Sequence, residues 1–203
     1  MKTVLIPLGM RCNSATIINN IVPQPRLPFD WTQMNAYSMS RVLQLNKENI
    51  HSFWTEYFSQ IDATHHHTKT NSWFPHDNFT TDEEKIASVE KYVRRTHRLQ
   101  DALNRPEHKI FLIFFGFPEV GNHLTAVHLL TTLETLCKEN YSVIMCNVFI
   151  ENYYNANMYH MYEPLIASGS PDENYDWDIL TKKIENRLRM FLSEKGYEVV
   201  PLV

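Results

Sequence analysis

A cysteine that follows a short apolar run, in Pro7-Leu-Gly-Met-Arg-Cys12-Asn-Ser-Ala, is the residue of this 203-residue chain best placed to do chemistry. Val4 to Leu8 reads as a buried strand and Asn13 to Val22 as a short helix, so Cys12 falls at their joint. At a helix N-terminus, unpaired backbone N–H groups and the helix dipole stabilise a thiolate and can hold an oxyanion; Arg11 would add positive charge. The same position also suits a small, buried, inert cysteine.

Two further segments carry groups that could serve such a thiol. His76, in Trp73-Phe-Pro-His76-Asp77-Asn-Phe, is a general base among aromatics or a packed histidine bonded to loop backbone. Asp77 follows directly and, in extended chain, points to the opposite side. Asp30, in Leu27-Pro-Phe-Asp30-Trp31, is a carboxylate between apolar neighbours and so needs a partner. It orients a catalytic histidine or ties down its own loop. Arg94 and Arg98 share a helix face and could clamp phosphate or carboxylate, or form a solvated face paired with Glu90. Gly9 to Asn13 could form an anion-binding turn. The His65-His66-His67 run has no spaced acidic or cysteine ligands beside it, so a polar loop is expected rather than a metal site.

Several chemistries lack their signatures. There is no Gly-x-Gly-x-x-Gly, no Gly-x-Ser-x-Gly and no His-Glu-x-x-His. Gly116 and Gly121 have phosphate-loop spacing, but Asn122-His123 stands where Lys and Ser or Thr are required. No metal and no cofactor are expected.

Taken in order, Pro7 to Ala15, Pro28-Phe-Asp30-Trp31, Phe74-Pro-His76-Asp77 and Tyr92-Val-Arg94-Arg95 resemble a family of uncharacterised bacterial and large-DNA-virus proteins described as papain-like cysteine peptidases. The resemblance covers roughly the first 115 residues. It implies a cysteine nucleophile, Cys12, with a later histidine base, His76, and a third, acidic member at Asp30 or Asp77. It also implies a papain-like α+β architecture.

The elements that must position these residues point to a different architecture. After the first strand and helix, Pro23, Pro25 and Pro28 interrupt the chain, and 35–58 is helical with weak patterning. Residues 59–80 are polar and irregular, an insertion within one domain spanning 1–203. Thr81-Asp-Glu-Glu84 is a capping box, and Ile86, Val89, Val93 and Leu103 step along the helix it opens, up to Pro106. Ile110 to Phe115 reads as a strand covered on both faces, His123 to Cys137 as an apolar helix and Val143 to Ile150 as another strand. Trp177 to Phe191 is amphipathic, and Tyr197 to Leu202 closes as a strand. This alternation predicts an α/β fold, a mainly parallel sheet with helices on both faces in three Rossmann-like layers. Active sites in such folds gather at the carboxyl ends of the strands, where Cys12 falls.

Composition bounds the partners. With 21% charged residues and a net charge of -4, no broad basic face for nucleic acid is expected. The first apolar run, broken by Pro7 and Arg11, is too short for a signal peptide, and no membrane segment is expected. The sparse cysteines Cys12, Cys137 and Cys146 make no disulfide framework, which suggests a reducing, cytoplasmic setting. The leading expectation is a thiol-dependent hydrolase or acyl transferase acting on a peptide or small molecule. Cys12 would be the nucleophile, His76 the base and Asp30 its orienter. The rivals are an α/β domain that binds a sugar, nucleotide or other anion through Gly9, Arg11, Asn13, Arg94 and Arg98, and an interaction protein without chemistry.

Overall fold

The computed structural model describes residues 1–9, 12–70, 72–114, 123–146, 157–161 and 176–202. Arg11, Phe115, the glycines at 116, 121 and 169, and 147–150 of the expected third strand lie outside them.

Strands β1 (Lys2–Gly9), β2 (His108–Phe114), β3 (Tyr141–Cys146), β4 (Met158–Met161) and β5 (Glu198–Val199) form one sheet in the order β4-β3-β2-β1-β5. Every pairing is parallel. The α/β reading therefore describes this chain, and the papain-like α+β alternative does not, because the first strand pairs in parallel with the next rather than feeding a helix packed on an antiparallel sheet. The sequence foresaw β1, β2 and β3, because parallel strands bury both faces and become continuous apolar runs; it missed the edge strand β4 and drew β5 too long, from Tyr197 to Leu202.

The pleat divides those runs between two cores. Val4, Ile6, Leu8, Phe111, Ile113, Val143 and Met145 face one side. Leu5, Ile110, Leu112, Ile144 and Cys146 face the other. Helices α2 (Ala36–Leu43), α3 (Ile50–Phe58), α4 (Asp82–Asn104) and α5 (His123–Cys137) cover the first side. Helices α1 (Asn13–Ile21) and α6 (Trp177–Glu194) cover the second. From β1 to β4 the chain steps one way across the sheet, then returns to place β5 on the far side of β1. The reversal between β1 and β5 is the topological switch at which such sheets open a crevice.

Because β5 pairs only with Lys2 and Thr3, the rest of that edge of β1 needs other partners. The side-chain amide of Gln24 supplies one, donating to the Leu5 carbonyl at 3.2 Å. Here the chain crosses from the α1 side of the sheet to the other, and Leu27, Phe29 and Met34 enter the larger core.

Helix α4 corrects one detail of the apolar stripe. Ile86 is 64% exposed, and the buried face runs through Val89, Tyr92, Thr96, Leu99 and Ala102. The 59–80 segment is irregular yet anchored. Bridges join Gln33 to Trp73, Ile61 to His67 and His66 to Trp73. Phe74 packs at 5.4 Å from the Phe58 ring and 5.7 Å from the Tyr92 ring.

Candidate functional site

Cys12 is the N-cap residue of α1, with φ −60° and ψ −17°. Its side chain makes no capping bond, and its carbonyl accepts from the Thr16 N–H at 3.0 Å and the Thr16 hydroxyl at 3.3 Å. The thiol is half-buried. Gly9 ends β1 in register with Phe114, so Cys12, three residues on, follows the carboxyl end of that strand. The Asn13 side chain is used structurally, donating to the Thr181 hydroxyl on α6 at 2.7 Å.

The three other segments singled out by the sequence converge. Gln33 and Trp73 exchange backbone hydrogen bonds of 2.8 Å in both directions, which zips the segment after Asp30 to the segment before His76. The His76 imidazole lies edge-on to Trp31, with ring centroids 5.5 Å apart. The Arg26 guanidinium sits on Trp31 as well, 5.7 Å from its centroid. Beneath, Asp77 accepts a 2.7 Å bond from the Tyr92 hydroxyl and pairs with Lys91. Arg95, almost buried, lies 5.0 Å from the centre of the Tyr92 ring. His76 is exposed while Asp77 is buried, as alternating side chains require.

Neither carboxylate hydrogen-bonds to His76, which corrects the expected role of Asp30 as a direct orienter. Asp30 is 1% exposed; its Oδ2 accepts from the Leu27 N–H at 3.1 Å, and its Oδ1 has no hydrogen-bond partner among the described residues. It closes the turn that presents Trp31, whose backbone stands at φ 63°, a region that side chains other than glycine seldom adopt. Desolvation raises the Asp30 carboxyl to about 6, although the Leu27 N–H and the Arg95 and Arg26 charges pull the other way. Desolvation also pushes the Tyr92 hydroxyl well above its ordinary range, so it remains a donor to Asp77. Burial, then the charges of Arg95, Arg26 and Arg94, lower the Lys91 ammonium to about 8, and its ion pair with Asp77 works against that fall.

The two arginines of the expected clamp have different surroundings. Arg98 donates to the Arg26 carbonyl at 3.2 Å, on the surface shared with Pro25 and Leu202. Arg94 is exposed, and Glu90, expected beside it, approaches His51 at 3.4 Å instead. Sequence reasoning missed Tyr92, Lys91 and Arg95 as one polar cluster because it chose the outer Arg94–Arg98 face. The legible signal was Tyr92 in line with Val89, Thr96 and Leu99, an inward stripe carrying a hydroxyl.

Among the described residues, no group of three or more histidine, cysteine, aspartate or glutamate side chains could hold a metal ion, and no helix is long and apolar enough to cross a membrane. The chain matches no protein-family model, no curated protein and no solved structure.

Proposed function

We propose that this chain is a thiol-dependent hydrolase or acyl transferase, cysteine-peptidase-like in its chemistry, with Cys12 as nucleophile and His76 as base. One observation carries the reading: the two residues belong to the same end of the sheet. Cys12 follows the carboxyl end of β1. Helix α4 ends just before β2 begins, so its start, and His76 six residues ahead of Asp82, face the carboxyl ends. At about 1.5 Å per residue α4 is roughly 34 Å long, against roughly 23 Å for β2, so its first turns extend beyond the strands.

In this mechanism an imidazole nitrogen of His76 takes the Cys12 thiol proton as sulfur attacks a substrate carbonyl carbon. The backbone N–H groups of Cys12 and Asn13 receive the oxyanion. Collapse breaks the bond to the leaving group, which takes the proton from His76. Water or another acceptor, deprotonated by His76, then releases the acyl group from Cys12. Asp30 acts one step removed, as a positioning residue that holds the Trp31 platform.

The test is the rate of Cys12 alkylation by iodoacetamide against pH. A paired thiol reacts well below the free-thiol pKa, near 8.5. His76→Ala should move the onset up towards that value. Asp30→Asn should slow the reaction less and leave its midpoint nearer the parent, since it disturbs placement and not the proton acceptor. A His76→Ala profile that overlays the parent profile ends the hydrolase reading and leaves anion binding at the α1 terminus.

A further inference from the structure

A second site lies away from Cys12, in a cleft of about 310 Å³ between α2, α3 and the 59–80 segment. That is at the small end of the roughly 300–1,000 Å³ typical of ligand pockets. Its floor is aromatic: Phe53 is 8% and Tyr57 3% exposed. The Arg41 guanidinium rests over the Phe53 ring at 5.1 Å, and Lys69, from the 59–80 segment, lines the same cleft. Neither cation has an ion-pair partner among the described residues, although Glu56 lines the same cleft.

The third member is His67, from the run that the sequence assigned to a polar loop. It is only 3% exposed, with its ring centroid 3.9 Å from that of Tyr57. Its Nδ1 accepts from the Lys69 N–H at 3.3 Å and the Thr70 N–H at 3.2 Å. A neutral ring so bonded carries its proton on Nε2. Desolvation, with Lys69 and Arg41 nearby, lowers the His67 pKa and favours the neutral ring. That N–H has no protein acceptor among the described residues, and His67 lines the cleft. Two unpaired cations and the ring of a buried histidine around one small cavity suit an oxyanion. Glu56, and Gln60 with its buried Oε1 unpartnered, supply acceptors for hydroxyl groups on the rest of the ligand.

We propose that this cleft binds a small hydroxylated phosphate monoester, its phosphate held by Arg41, Lys69 and the Nε2–H of His67 and its hydroxyls by Glu56 and Gln60. The site is independent of the Cys12 chemistry. Calorimetry and ¹H–¹⁵N spectra of the full chain, with glycerol 3-phosphate and inorganic phosphate as probes, test it. Glycerol 3-phosphate should bind saturably, shift the His67 ring resonances and bind more tightly than inorganic phosphate. Arg41→Gln and Lys69→Gln, both at exposed side chains, should each weaken it tenfold or more. Arg94→Gln and Cys12→Ala should leave it unchanged. Absence of saturable binding, binding that survives both cation substitutions, or shifts centred on Asn13 instead of His67 would overturn the assignment. So would equal affinity for the two probes, which removes the hydroxyl contacts.

Discussion

Asp30 is where single-residue chemistry is easiest to measure. Its folded pKa, about 6, lies above the ordinary 3.8. Below pH 4 both folded and unfolded chains hold the proton, and the group costs nothing. Between about pH 4 and 6 the unfolded chain ionises first, so stability falls as pH rises, by about 2–3 kcal/mol in all. Asp30→Asn removes that dependence. In urea melts its stability relative to the parent should rise by about that amount between pH 4 and pH 7, and a constant difference would show that Asp30 is not desolvated. The cysteines differ on the same principle. Desolvation raises Cys137 to about 11 and Cys146 further, the latter fully enclosed at the end of β3. Brief iodoacetamide treatment at pH 7.5, read by mass spectrometry, should therefore label Cys12 well ahead of both. Equal labelling of all three would count against an activated Cys12.

Helix α4 is the element that gathers the site, because Lys91, Tyr92 and Arg95 all project from it towards the Pro28–Trp31 and Phe74–Asp77 segments. Its start is well defined. The Thr81 hydroxyl accepts from the Glu84 N–H at 3.2 Å, and Glu84 Oε2 accepts from the Thr81 N–H at 3.1 Å. Thr81→Ala should cost about 1 kcal/mol in denaturant unfolding. Tyr92→Phe should cost more, about 1–3 kcal/mol, because it leaves the buried Asp77 carboxylate one donor short. If Tyr92→Phe proves neutral, Lys91 alone satisfies Asp77 and the cluster is less coupled than its geometry implies. Legibility was uneven within this helix. The capping box was visible because it is local, whereas the inward face was misplaced by one step, since Ile86 is apolar yet lies beyond the core.

At the scale of the molecule, the sheet is strong at its centre and weak at one edge. Strands β1, β2 and β3 pair over most of their lengths, whereas β5 contributes two residues. Hydrogen exchange should therefore be slowest in β1 to β3 and much faster at Glu198 and Val199. Equal protection across the sheet would contradict this gradient. The smaller core rests on α6, where Ile184 is fully enclosed. Ile184→Ala should cost about 2–5 kcal/mol and loosen α1 as well, since Asn20 and Arg189 both bond to the buried Glu185.

The linear chain determined β1 to β3, the starts of α1, α4, α5 and α6 and the position of Cys12, though not β4 or the division between α2 and α3. These depend on periodicity and on residues within about one turn of each other, such as the apolar run Val4 to Leu8 or Thr81 with Glu84. It also named Asp30, Trp31, His76 and Asp77 as segments worth watching. Partnership was decided only by the fold. The family resemblance left Asp30 and Asp77 as alternative third members, yet one closes a turn on the Leu27 N–H while the other turns inward to Tyr92 and Lys91. His67 looked like part of a polar run, and packing on Tyr57 turned it into a buried ring lining a cleft. The physical reason is common to all three. A buried polar side chain must find partners, those partners lie tens of residues away, and only the chain's path through space selects them.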